Sequence, residues 1–399
     1  MNTGSNRFDF NQIQELEQKA TIERMTGTVL LIQDTSDINL NGHKKTEGLG
    51  YCSEFIRGIK IHSCIAVSTE GIPLGIVAQY YETRQKTEST LTIEEKKARP
   101  IEEKESYRWL QMLNESTMNI PTDVKRITIC DREGDFYELY AKALESDEDF
   151  VIRVTHDRKS EDDAKTMQKI RQIEAIGTVI VNIPRDNRRQ IPARQTEMEI
   201  AYCTVTIQKP KRVHQGKTPS RLTINLVRIT ELTPVSGYEP IEWILATNLT
   251  LSTASDVMTV VEYYIQRWKI ERFHYVLKSG LNAEKIQQRT YERIKPLLFI
   301  YSVIALYIMA VTYIGRLASD LPCNIFFDDN EWKTLYRLIE KKAPPDAPYS
   351  MAAAVLYLGE LGSYKRAPSD GNPGLKSIWK GLFRLYQAIV VANVLMGQV

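Results

Sequence analysis

Thr28-Val-Leu-Leu-Ile-Gln-Asp34 is a continuous β-branched and aliphatic run that stops at a carboxylate. A run of this kind, without polar alternation, predicts a strand buried on both faces. Arg126-Ile-Thr-Ile-Cys130 repeats the pattern and is again followed by a carboxylate, Asp131. Between the two, Ile61–Ser68 and Leu74–Tyr81 predict further strands, joined by Thr69-Glu-Gly-Ile-Pro73 as a hairpin or short loop. The chain becomes strongly charged from Ile93 to Glu105, and this grades into a predicted helix, Glu102 to Glu115. A helix over Phe136–Leu144 and a strand over Phe150–Thr155 complete the alternation. The pattern is α/β with a central mixed sheet. It puts Asp34 and Asp131 at the C-terminal ends of apolar strands, where open α/β sheets place their chemistry.

Outward from this core, Gly177 to Asn248 reads as β segments with turn-rich linkers, and the chain from Ser252 onward is predominantly helical. A β-rich insertion between two halves of an α/β domain is the simplest organisation. Residues 185–221 carry nine Lys/Arg against three Asp/Glu, among them Arg185, Arg188, Arg189, Lys209, Lys211, Arg212 and Lys217. The whole chain has 399 residues and a net charge of only +2, so affinity for nucleic acid has to come from such local patches and not from a global field. Its 43% hydrophobic and 26% charged residues are those of an ordinary globular protein, not a disordered one. Five scattered cysteines, never paired as C-x-x-C, argue against a disulfide scaffold or thiolate zinc site and for reduced thiols in a cytosol. The N-terminal residues show no apolar signal-peptide region. Leu297–Ile314 is uncharged and just long enough to span a bilayer, but it contains Ser302, Thr312 and three tyrosines. It is read as a helix buried in a large domain, with no membrane partner.

Candidate chemistry comes from carboxylates. Two-metal phosphoryl-transfer sites need several, because Mg²⁺ is a hard ion that prefers oxygen ligands. With Asp34 and Asp131 on two strands, a third must come from elsewhere. The best source is Val260 to Lys278, a helix that Ser252 or Thr253 can cap and that no Pro or Gly interrupts before Gly280. Tyr264, Arg267, Glu271 and Lys278 fall on one face of it at 3.6 residues per turn. Each residue also has a plainer reading: Asp34 as a turn residue, Asp131 as a helix cap, Glu271 as the i+4 partner of Arg267, and Trp243 as core. Only the joint arrangement favours a site.

That arrangement resembles the bacterial insertion-sequence transposases that carry a DDE triad and a Y-R-E-K signature. The resemblance is carried by Tyr264-x2-Arg267-x3-Glu271-x6-Lys278, by Cys130-Asp-Arg-Glu-Gly-Asp-Phe-Tyr137 and by Leu31-Ile-Gln-Asp34-Thr-Ser36. It is weaker at Glu105-Ser-Tyr-Arg-Trp-Leu110, Phe150-Val-Ile-Arg153 and Glu242-Trp-Ile-Leu245, and covers residues 25 to 397. It implies an RNase H-like mixed-sheet catalytic core in two parts, 25–157 and 251–318, interrupted by a β-rich insertion, 158–250. An N-terminal arm, 1–24, would precede it, and a helical C-terminal dimerisation region, 319–399, would follow. It further implies cleavage at transposon ends, through a hairpin intermediate, and strand transfer into target DNA. Asp34, Asp131 and Glu271 would be catalytic and would ligate two Mg²⁺ ions, with Mn²⁺ able to substitute. Arg132, Arg153, Tyr264, Arg267 and Lys278 would contact DNA, and Trp243 would stack on a flipped-out base. The implied partners are DNA and a second copy of the chain, in a bacterial, nucleoid-associated setting in the cytoplasm.

Relatives carry a helical end-recognition domain well upstream of the first Asp, whereas 33 residues precede Asp34. A truncated chain or delegated end recognition is therefore expected. The alternatives are a dimerising inhibitor of full-length transposase and an RNase H-like nuclease such as a junction resolvase. The latter gives no reason for the Y-R-E-K stripe.

Overall fold

The computed structural model describes residues 9–85, 92, 95, 99–183, 185–186, 189–211, 213, 218–366 and 371–395. Most of the charged stretch 93–98, and Arg188, Arg212 and Lys217 of the basic segment, lie outside the described residues. Nine strands form one mixed sheet: β1 (Thr28–Asn39), β2 (Gly58–Ser68), β3 (Pro73–Glu82), β4 (Lys125–Cys130), β5 (Asp149–Arg153), β6 (Gly177–Ile183), β7 (Arg194–Gln208), β8 (Arg221–Glu231) and β9 (Glu242–Thr247). Their order across the sheet is β3-β2-β1-β4-β5-β9-β8-β7-β6. β1, β4 and β5 are mutually parallel, and every other pairing is antiparallel. The β segments of 177–248 thus extend the central sheet through the β5–β9 pairing.

Alternation along β1 explains why the sheet is covered on both sides. Leu30 and Ile32 enter the larger core, which is closed by α5 (Ala254–Ile265), α6 (Trp268–Tyr275) and α7 (Tyr291–Leu317), with Phe10 of the N-terminal helix α1 (Phe10–Glu23) edge-on to Phe299. Val29 and Leu31 point the other way, toward Met112 of α2 (Tyr107–Thr117). On that side α3 (Tyr137–Glu145) packs beside α2, and the short α4 (Thr166–Arg171) follows β5 in sequence. A helical region of α8 (Asp329–Glu340), α9 (Met351–Leu361) and α10 (Leu375–Leu395) completes the chain.

Two predicted features differ in the structure. β1 does not end at Asp34. Its parallel pairing with β4 stops at Ile32–Ile129, but antiparallel pairing with β2 continues to Asn39–Gly58, so polar residues are held extended by one neighbour alone. Asp34 therefore sits where β1 loses a partner, not at a strand end, whereas Asp131 does directly follow β4. The predicted single helix to Lys278 is also broken. Gln266 and Arg267 form a tight turn, in which the Arg267 N–H bonds the Tyr264 carbonyl three residues back, and Val276–Gly280 winds into a π turn. The site helix is thus two segments, and π turns inside helices often accompany functional positions.

α7 is the one described helix long and apolar enough to cross a membrane. It is packed into the domain, burying Leu298, Phe299, Ala305, Leu306, Met309 and Val311. Its polar Ser302 and Thr312 are buried too, and return their hydroxyl protons to the carbonyls of Leu298 and Ile308 at 2.8 and 2.7 Å.

Candidate active site

By strand alternation Asp34 lies on the α6 side of the sheet, with its side chain 16% exposed. Its Oδ1 accepts the Thr35 N–H at 2.8 Å, and His274 Nδ1 of α6 stands 3.7 Å from Oδ2. Burial first, then the Asp131 carboxylate, and finally that of Glu271, push Asp34 up to about 7, against opposing pulls from the Thr35 N–H and Arg267. Burial, reinforced by the Lys278 charge, lowers His274 to about 3, so at neutral pH it is an uncharged neighbour of Asp34 and not its ion-pair partner. Asp131 accepts the Glu133 N–H at 2.8 Å and caps the turn Arg132–Gly134, so its plainer reading holds as well. Glu271, on α6, is 55% exposed and receives Arg267 Nη2 at 2.7 Å.

The three carboxylates therefore share one electrostatic neighbourhood, reached from β1, from the end of β4 and from α6. They do not form a closed ligand shell: among the described residues no three acidic, His or Cys side chains lie within reach of one ion. The donor set nonetheless fits a hard divalent cation. It consists of carboxylate oxygens, and at Asp34 burial first and then the charges of Asp131 and Glu271 disfavour the ionised form, a cost that a cation would relieve.

Around them, Tyr264 and Arg267 are buried, with the Arg267 guanidinium 5.7 Å from the Tyr264 ring centroid. Arg153, at the end of β5, is half-buried beside Tyr264, and burial is the main reason its pKa is lowered. Lys278 lies on the π turn, and Arg132 is exposed on the turn after Asp131. Trp243 is 5% exposed and meets Tyr264 and Trp268 edge to face at 5.6 and 5.8 Å. In this structure it is a core residue one aromatic layer from Arg267. Of the basic segment, Arg189 lies near Tyr238 and Asp186, and Lys209 bonds the Thr218 carbonyl at 3.4 Å.

Asp135, inside the Cys130–Tyr137 motif, has a role that nothing in the local sequence marks. Asp135 is fully buried and accepts the backbone N–H groups of Thr155 and His156 at 2.5 and 2.7 Å and the Tyr140 hydroxyl at 2.6 Å, while pairing with Arg158 at 2.5 Å. It ties the turn that carries Asp131 to the strand exit after β5. On the opposite sheet face, Thr35 bonds His62 at 2.9 Å, and the His62 ring packs edge-on against Trp109 of α2 at 4.6 Å.

The family model described as "Transposase DDE domain" matches residues 26–308. Among solved structures, the cryo-EM structure of the piggyBac transposase synaptic complex with hairpin DNA is similar over 78% of this chain and 53% of that chain, at 10% identity and a TM-score of 0.38. This chain thus spans about half the length of that one.

Proposed function

Since the chain belongs to the transposase DDE domain family, which covers both aspartates and the Glu271 helix, we propose that it is a DNA transposase cleaving strands at transposon ends with Asp34, Asp131 and Glu271 as its catalytic carboxylates. The observation that carries this reading is the convergence of the three on one charge neighbourhood, registered at Asp34. The order β3-β2-β1-β4-β5, with β1, β4 and β5 parallel, supports an RNase H-like core.

Asp34, Asp131 and Glu271 would hold divalent cations, two Mg²⁺ in the full reading. Bound there, such ions supply charge for the attacking and leaving oxygens of an in-line displacement. The chain's own groups do the rest. Arg267, half-buried Arg153 and Lys278 orient phosphates, and Arg132 meets the backbone from the exposed turn. The hydrophobic seat of Tyr264 and Trp243 keeps water away from the Arg267 side. Stacking of a flipped base on Trp243, as hairpin formation would use, requires the Trp243–Tyr264–Trp268 cluster to open. A homodimer on DNA is supported by α10, which leaves Phe383, Tyr386, Val390 and Val394 exposed at helical spacing along one face.

The test is incubation of the purified chain with its own element ends and Mg²⁺. Nicked or hairpin products are expected, and should vanish in Asp34→Asn, Asp131→Asn and Glu271→Gln while DNA binding persists. Substantial Mg²⁺-dependent cleavage by any one variant would remove that residue from the triad.

A further inference from the structure

A second concentration of positive charge lies away from the carboxylates. Lys269 of α6 places its Nζ 3.3 Å from the centroid of the Tyr313 ring on α7, and the Arg316 guanidinium stands 5.7 Å from the same ring. Arg272, one turn beyond Lys269, is exposed, and its charge acts on Lys269, Tyr313 and Arg316 alike. Arg316 is fixed by a bond from Nη2 to the Pro373 carbonyl at 2.6 Å. The β2–β3 turn closes one side. Gly71 there has φ +93°, and a Cβ on it would come within 2.9 Å of Lys269 Cε and 2.4 Å of Gln266 Oε1.

Among the described residues no carboxylate acts on Lys269 or Arg316: what acts on Lys269 is burial, Arg316 and Arg272, and what acts on Arg316 is burial, Tyr313 and Arg272. Lys269 and Arg316 beside one ring, with Arg272 one helical turn from Lys269, set three cations from two helices close together, a grouping whose chemistry suits a phosphate. Arg272 follows Glu271 on α6 and lies about 100° around the helix from it, so the patch borders the face that carries Glu271 and is distinct from it.

We propose that Lys269, Arg272 and Arg316, grouped around Tyr313, bind a backbone phosphate of a nucleic-acid strand at a site separate from the Arg267–Lys278 face. The proposal rests on the reading of the chain as a DNA-acting enzyme and deepens it, by extending the DNA path from α6 onto α7. Two phosphate sources are conceivable, a nucleic-acid backbone and a free phosphate. The exposure of Arg272 and Arg316, which a passing strand can reach without entering a cavity, favours the backbone.

The test uses the full chain and a short duplex, with affinity measured by fluorescence anisotropy between about 50 and 200 mM salt. The combined variant Lys269→Met, Arg272→Gln, Arg316→Gln should bind at least about ten-fold more weakly, with a log-affinity against log-salt slope shallower by about 1 to 2. Lys341→Gln, at the exposed cap of α8, should match wild type. If the triple variant folds poorly, Arg272→Gln/Arg316→Gln leaves Lys269 on its ring and should still lower the slope by about 1. A wild-type chain with no salt-dependent duplex binding would refute the DNA reading itself. Normal wild-type binding with an unchanged slope in a folded variant would refute the patch alone. Binding of inorganic phosphate that the variant loses, without any change in duplex slope, would assign the patch to a free phosphate and overturn the proposal.

Discussion

Replacing Asp135 with Asn should loosen the scaffold of the site without touching the three carboxylates. Asp135 is 0% exposed and faces donors only: two backbone N–H groups, a phenol and the guanidinium of Arg158, itself nearly buried. Whichever way an Asn amide turns, its NH₂ meets donors, and Arg158 keeps a buried charge with no counterpart. Breaking a buried pair in this way costs about 3–5 kcal/mol. Burial alone would raise Asp135, but the bonds from His156, Arg158, Tyr140 and Thr155 outweigh it and hold the carboxyl at about 2 against an ordinary value of 3.8. That difference corresponds to about 2.5 kcal/mol. The larger figure includes the stranded Arg158, which protonation of Asp135 shares only in part. Because the folded pKa is depressed, the stabilisation is complete above about pH 5 and lost as pH falls through about 2. Denaturant unfolding of wild type and Asp135→Asn should therefore differ by at least about 2.5 kcal/mol at neutral pH, with the gap narrowing below pH 4. Hydrogen exchange should accelerate at Thr155 and His156, whose amides lose their acceptor. A neutral-pH difference under about 1 kcal/mol, or unchanged exchange there, would refute the buried-hub account.

Divalent-ion binding should weaken as pH falls, because a proton on Asp34, whose carboxyl sits at about 7, competes with the cation. Calorimetric Mg²⁺ or Mn²⁺ affinity should drop about ten-fold per pH unit below 7, and a pH-independent affinity would exclude Asp34 as a ligand. Trp243→Ala should lower stability by about 3–5 kcal/mol, since the ring is buried against Tyr264 and Trp268. A melt near wild type, with nicking intact and hairpin formation lost, would instead assign the indole to an extruded base. Gly71→Ala should destabilise by about 1–3 kcal/mol, because the residue has φ +93° and its Cβ would press on Gln266 and Lys269. An unchanged denaturation midpoint would show that the turn relaxes freely.

The strands that carry Asp34 and Asp131 were legible because burial on both faces writes an unbroken apolar run. The extension of β1 was not, because Gln33-Asp-Thr-Ser-Asp37 is polar and is held extended by pairing with β2, a long-range cause that no local window contains. The capping of the site helix was legible: Thr253 caps it, with Asp256 completing a capping box. Its break at Gln266–Arg267 was hidden, for no Gly or Pro marks it. The β segments of the insertion could be read one by one, but not their place in the central sheet, which the β5–β9 pairing decides. Asp135 stood in plain view within Cys130–Tyr137, yet most of its partners, Thr155, His156 and Arg158, lie some twenty residues on.

On the proposed function, the bond between Arg267 and Glu271 would make two binding events dependent on each other. A backbone phosphate engaging Arg267 would take the guanidinium from Glu271, and a cation engaging Glu271 would take the carboxylate from Arg267. Each ligand thereby removes the other's competitor. Linkage then fixes the symmetry: whatever factor DNA adds to cation affinity, the cation adds to DNA affinity, typically through a coupling of about 1–3 kcal/mol. Off DNA, the carboxylate would stay occupied by its own arginine and the cation would be held weakly. Cutting competence would then arrive with the substrate, and stray hydrolysis by the free protein would be suppressed at the cost of a single hydrogen-bonded pair.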